Sequence, residues 1–203
     1  MAGATVAVIA LHGRGSNADD ILSLADAIAL PGVGWVAPEA ADGAWYPNRF
    51  MAPMATNEPG LSSALRTVGR ALADVAASGV PPERTILLGF SQGACLVTEF
   101  AARTARRYGG IACLSGGLIG PDGTSRDYPG RLFGTPAFLG CSDTDPHIPA
   151  ARVRETADIL RTLGAEVTLR LYPGTTHSVN SDQLREVRAL LDLAMRAPSG
   201  SST

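Results

Sequence analysis

The stretch "LLGFSQGAC", residues 87–95, decides how this chain is read. An apolar run ends at Gly89-Phe90-Ser91-Gln92-Gly93, and a segment of helical composition follows at once. A G-x-S-x-G pattern gains meaning in that strand–turn–helix context. The turn is so sharp that its serine takes a strained backbone conformation. Side chains two positions either side would collide, which accounts for glycine at 89 and 93. The Ser91 hydroxyl is thereby presented at a helix N-terminus, where the dipole favours developing negative charge. The plainer alternative is a tight turn whose serine only caps the helix.

The same alternation extends in both directions. Short apolar runs occur at 5–11, 34–38, 84–90, 110–116, 135–141 and 165–172. They read as strands buried on both faces, as a parallel sheet requires. Helical spacing appears between them. Leu61, Leu65, Val68, Leu72 and Val75 form one apolar stripe, stopped by Gly79. Val153, Ala157, Leu160 and Leu163 form a second over about 150–163, with Gly164 as the break. Leu184, Val187, Leu191 and Met195 form a third over about 181–196. The expected architecture is α/β, a mostly parallel, doubly wound sheet of about six strands joined by right-handed crossovers. Residues 1–197 read as one domain, and the "PSGSST" end, 198–203, as a flexible tail. Two Pro- and Gly-rich loops, 39–60 and 117–134, are long enough to suggest function.

Ligands bind such sheets beyond the carboxyl ends of the strands. The polar residues placed there are His12–Ser16, Ser91–Gln92, Ser142–His147 and Gly174–His177. A serine nucleophile needs a base, and the chain has only three histidines, His12, His147 and His177. His12 follows the first strand beside a Gly-rich loop, where a structural role is expected. His177, in "YPGTTHS", follows the last strand, as a base that must reach across to Ser91 should. The order serine, acid, histidine then places the acid in "SDTDPHIP", 142–149, which offers Asp143 and Asp145. An Asx turn is the ordinary role for either aspartate. A metal cluster of Asp143, Asp145 and His147 is disfavoured: Pro146 restricts convergence, and no H-x-H, H-E-x-x-H or cysteine cluster accompanies it. No metal or cofactor is expected. Of the two amides an oxyanion site requires, one should belong to Gln92, the residue after the serine.

"LHGRGSNADD", "GFSQGA", "DPHIP" and "YPGTTHS" together span residues 11–178 and resemble the phospholipase/carboxylesterase family of α/β hydrolases, relatives of the acyl-protein thioesterases. The resemblance implies an α/β-hydrolase fold and assigns the acid to Asp145, through the D-x-x-[VI]-P pattern at Asp145–Pro149. It assigns the second oxyanion amide to Arg14 of the H-G-x-G loop. The thioesterase branch typically carries an apolar residue there, so the arginine is a departure. The first strand starts at residue 5 and no helical insert is visible, so a compact fold without a cap or preceding antiparallel strands is expected. Apolar residues of the first long loop, Trp45, Tyr46, Phe50, Met51 and Met54, are candidates to line the substrate pocket, together with Ile148.

Composition narrows the classes. A formal charge of −2 and a pI near 5.9 give no reason to expect nucleic acid. The cluster Arg103, Arg106 and Arg107 reads as a solvated helix end. All 17 cationic side chains are arginine, which removes lysine-based covalent chemistry. Cys95, Cys113 and Cys141 are scattered in apolar runs, as buried thiols of a cytoplasmic protein would be. No apolar stretch reaches membrane-spanning length, so no stable membrane insertion is expected. The expected activity is hydrolysis of small or medium carboxylic esters through an acyl-enzyme. The alternatives are a thioesterase or lysophospholipase, and a non-catalytic ligand-binding protein of the same fold. Homodimers are common in the family resembled, but the residues leave the assembly state open.

Overall fold

The computed structural model describes residues 3–196; the expected tail at 198–203 lies outside them. Six strands form one sheet: β1 (Val6–Leu11), β2 (Val33–Val36), β3 (Thr85–Phe90), β4 (Gly110–Leu114), β5 (Pro136–Ser142) and β6 (Glu166–Tyr172). Their order is β2-β1-β3-β4-β5-β6, and every neighbouring pair is parallel. The helices are α1 (Ala18–Ile28), α2 (Gly60–Ala77), α3 (Gln92–Arg103), α4 (Ala150–Thr162) and α5 (Ser181–Arg196). Each packs on a strand, so none is left to form a cap among the described residues.

Strand periodicity sorts the core into two layers. Ala7, Ile9, Leu11, Leu87, Ile111, Cys113 and Leu139 face α2, α3 and α4. Val6, Val8, Ala10, Ile86, Leu88, Ala112 and Leu114 face Ile21 and Ile28 of α1 and Val187, Leu190 and Leu191 of α5. The four inner strands are thus almost wholly apolar, with Thr85 and Ser142 only at strand ends, because both their faces are covered. The expectation of two-sided burial fails at the edges: β2 is half-buried, and β6 alternates between exposed and half-buried positions. An edge strand has a covered neighbour on one side only, and Glu166, Thr168 and Arg170 take the solvent face of β6.

The helical stripes fall where their spacing placed them, with Leu61, Val68, Leu72 and Val75 buried in α2, Val153, Ala157 and Leu160 in α4, and Val187 and Leu191 in α5. Helix α1 lies outside the three stripes read from the sequence, although Ile21, Leu24 and Ile28 stand at helical spacing and face the core. Asn17 caps the helix by accepting from the Asp20 amide, and Asp19 and Asp20 occupy its first turn. Loop 117–134 is pinned to the helices rather than free. Buried Arg152 of α4 donates to the Leu118 and Gly120 carbonyls and pairs with Asp122. Glu99 of α3 accepts from the Ile119 amide and the Tyr128 hydroxyl.

Two close backbone approaches set the join between β3 and α3. A Cβ at Gly89 would strike the Gly93 carbonyl, and a Cβ at Gly93 would strike the Leu11 carbonyl of β1. Since neither obstacle is the end of a flexible side chain, Gly93→Ala is expected to destabilise the fold by about 3 kcal/mol or more. Urea denaturation of the purified variant checks this, and an unchanged midpoint would contradict it.

Candidate active site

Ser91 sits at the carboxyl end of β3, immediately before α3, with φ 54° and ψ −117°. That left-handed conformation costs about 1–3 kcal/mol in a residue other than glycine. It is held by hydrogen bonds at both ends, the Ser91 amide donating to Leu114 O and the Cys95 amide donating to Ser91 O. The side chain makes no capping bond to the helix. The capping role is therefore unfilled, and the hydroxyl is left for other partners.

Its partner is His177. Ser91 Oγ lies 2.8 Å from His177 Nε2, and His177 Nδ1 lies 2.7 Å from Asp145 Oδ2. A carboxylate only accepts, so Nδ1 carries the proton and Nε2 is left to accept from the serine. The Asp145 side chain has no exposure to solvent. Its other oxygen, Oδ1, accepts from the amides of His147 (2.8 Å) and Ile148 (3.0 Å). Burial pulls the pKa of Asp145 up, but the hydrogen bonds from His177 and from those two amides outweigh it, so the net shift is downward. The stabilisation this brings is complete above the ordinary carboxylate value of about 3.9 and is lost as pH falls through the lowered folded value.

The neighbours fix these three groups in place. Cys141, at the end of β5, sets its thiol 3.7 Å from Asp145 Oδ2, the oxygen that also meets His177. Burial, with the Asp145 charge adding to it, pushes the Cys141 thiol up to about 12, so it stays a neutral donor. Asp143 acts differently from Asp145. Its Oδ1 accepts from the Gly174 amide at 3.0 Å, tying the two loops that carry Asp145 and His177. His147 stands edge-on to His177, with ring centroids 4.9 Å apart. Phe90 packs on His177 at 5.0 Å. Among the described residues, no group of three or more His, Cys, Asp or Glu side chains is arranged to hold a metal ion.

His12 is fully buried and commits both ring nitrogens to backbone. Nδ1 donates to Gly13 O, and Nε2 accepts from the Ala40 amide. Gly13 runs so close to Ser91 and Phe90 that a Cβ there would stand 3.3 Å from each. The loop carrying Arg14 is thus brought beside the serine. Among the described residues, the amides of Arg14 and Gln92 donate to no protein acceptor. The guanidinium of Arg14 donates to the carbonyls of Tyr46 (2.7 Å), Pro47 (2.9 Å) and Asn48 (2.6 Å). Gln92 assists from within, accepting from the Trp45 amide and donating to Tyr46 O.

The loop held this way walls a cavity of about 570 Å³ above Ser91. Tyr46, Phe50, Met51 and Ile148 line it, as do Asn48, Arg49 and Cys95. Trp45 and Met54 are not among its lining residues. Trp45 is buried with its indole N–H on His12 O and its ring 5.0 Å from the His12 ring. Met54 packs at the core margin near Gly120. An apolar cluster in a loop does not reveal which members turn inward, and the hydrogen bond available to the indole drew Trp45 into the core. Cys95 was legible in principle, since it lies one helical turn after Ser91 on the same face. Loop 117–134 contributes no described residue to the cavity wall.

The phospholipase/carboxylesterase family model matches residues 2–195. The chain belongs to that family. A solved phospholipase/carboxylesterase from Dyadobacter fermentans superposes on this family member with a TM-score of 0.89 at 42% identity, covering 93% of this chain and 90% of the other. Esterase PE8 superposes at 0.80 with 26% identity, covering 94% and 93%. Acyl-protein thioesterase 1 of Gibberella zeae is 32% identical over 123 residues, 56% of this chain and 49% of that protein. The match therefore spans about half the length of that curated relative. As a phospholipase/carboxylesterase family member, the chain has a hydrolase's fold and the relatives of one. No helix among its described residues is long and apolar enough to cross a membrane.

The Arg14 clamp makes a testable demand. Hydrogen bonds to a charged donor are worth about 1.5–3 kcal/mol each when well shielded, and less at an exposed site such as this. Arg14→Ala is expected to speed limited proteolysis within 44–50 while shifting the global melting temperature by only a few degrees. Arg14→Lys, which lacks the planar fork, should rescue little of the protection. Equal protease resistance in all three proteins would show that the clamp does not order the loop.

Proposed function

We propose that this protein is a serine carboxylesterase that cleaves small or medium carboxylic esters through an acyl-enzyme. The observation that carries the reading is the unbroken chain Ser91–His177–Asp145, with links of 2.8 and 2.7 Å, at the foot of the cavity. Ser91 Oγ attacks the acyl carbonyl while its proton passes to His177 Nε2. The new imidazolium is stabilised by Asp145, whose lowered pKa keeps it ionised at neutral pH. The tetrahedral oxyanion takes hydrogen bonds from the Arg14 and Gln92 amides, which are fixed before substrate arrives. His177 returns the proton to the departing alcohol. Water, deprotonated by the same nitrogen, then attacks the acyl-serine, releases the carboxylic acid and restores the Ser91 hydroxyl. No step draws on a cofactor or metal.

A thioester reading rests on the likeness to acyl-protein thioesterase 1; the machinery would serve both, since the leaving group alone differs. The ester reading is favoured by the mixed lining of the cavity, where Asn48, Arg49 and His147 share the wall with Phe50, Met51 and Ile148. Three unpaired, buried thiols support a reducing compartment, and we place the protein in the cytoplasm.

Ser91→Ala is expected to lower p-nitrophenyl butyrate hydrolysis by at least about a thousandfold with an unchanged circular dichroism spectrum. Asp145→Asn should lose about as much, because the amide no longer holds the reactive tautomer. Asp143→Asn, which leaves an acceptor for Gly174, should stay within a few-fold of the parent. Turnover undiminished in Ser91→Ala would reject the mechanism. A large loss at position 143 with little at 145 would reject the choice of acid.

A further inference from the structure

The cavity wall carries more cationic character than a neutral ester requires. Arg14 and Arg49 both line it. Asp145 is the one acidic side chain in the lining; it has no solvent exposure, and its charge faces His177. The Arg14 guanidinium is occupied by three carbonyls, which satisfy its donors without cancelling its charge. Arg49 is different. It is exposed, and among the described residues its guanidinium has neither an ion-pair partner nor a hydrogen-bond acceptor. Its backbone is nonetheless held, since Arg49 O accepts from buried Asn57 and the Ala52 amide. The chain as a whole is net acidic, with a formal charge of −2. A cationic rim on an acidic protein, over a serine with its base aligned, selects among substrates before any chemistry occurs.

We propose that the preferred substrates are esters that carry a second, anionic group, a carboxylate or a phosphate, and that Arg49 is the residue that receives it. This rests on the reading of Ser91 as a nucleophile and deepens it. A guanidinium presents paired N–H groups to two oxygens of either anion, so one residue serves both chemistries. Arg14, already committed to the loop carbonyls, adds its charge to the field without moving. Partial exposure of the rim makes the attraction dependent on salt.

The test compares two matched substrate pairs. Mono-p-nitrophenyl adipate against p-nitrophenyl heptanoate places a carboxylate on the acyl side. A 1-butyryl glycerol 3-phosphate against 1-monobutyrin places a phosphate on the alcohol side. The charged member of at least one pair is expected to show a kcat/KM about tenfold higher at low ionic strength. That ratio should fall towards one in Arg49→Ala, invert in Arg49→Glu and shrink in 0.5 M salt. Arg66→Ala removes the same charge from an exposed site on α2, away from the cavity lining, and should keep the ratio. Neutral members turned over as well as or better than charged ones in both pairs would overturn the proposal while leaving the hydrolase reading intact. So would a charge preference that survives in Arg49→Glu. Failure to hydrolyse any of the four esters would overturn both.

Discussion

Everything at the carboxyl edge of the sheet depends on how closely α3 approaches β1 and β3. The approach is possible because Gly93 lets the first turn of the helix lie on the Leu11 carbonyl and Gly89 lets the strand pass beneath it. With those two contacts closed, the residue between has no relaxed conformation available, and Ser91 is driven to φ 54°. The strain of about 1–3 kcal/mol is supported by the surrounding sheet through the bond from the Ser91 amide to β4. Because the geometry is over-determined by backbone, the direction in which Ser91 projects its side chain is set before His177 meets the hydroxyl.

Asp145 and His177 reach that hydroxyl by another route. Both stand on loops, and loops ordinarily lack the precision that a 2.7 Å contact needs. Here the loops are laced together at their bases: Asp143 takes the Gly174 amide, the Asp143 amide donates to Tyr172 O, and Thr144 donates to Gly174 O. Asp145 is held from below by two amides and flanked by Cys141. The crowding of acids and imidazole in residues 142–149 thus has a division of labour. One aspartate ties the loops, and the other meets His177.

Local constraints were the legible ones. The turn around Ser91 could be read because glycine at two fixed offsets has few other reasons to be there, and the four inner strands because two-sided burial leaves an unmistakable apolar run. Helix α1 was legible too, from Ile21, Leu24 and Ile28 at helical spacing and from its cap and first-turn acids, although it lies outside the three stripes read first. Edge strand β6 carried its own correction in the alternation of Glu166, Thr168 and Arg170 with apolar neighbours. What could not be read was direction. Whether Trp45 or Tyr46 faces the cavity, and where the Arg14 guanidinium goes, depends on partners 30 or more residues away.

The Arg14 arrangement has a consequence for how such a site can change. One residue contributes an amide beside the serine and, through its side chain, grips the three carbonyls of the wall opposite. The cavity wall and the backbone beside Ser91 are therefore a single mechanical part. A shift in one is transmitted to the other through a side chain whose fork admits little play. The Arg49 side chain, by contrast, bonds to no other part of the wall among the described residues, so exchanging it would leave the wall standing.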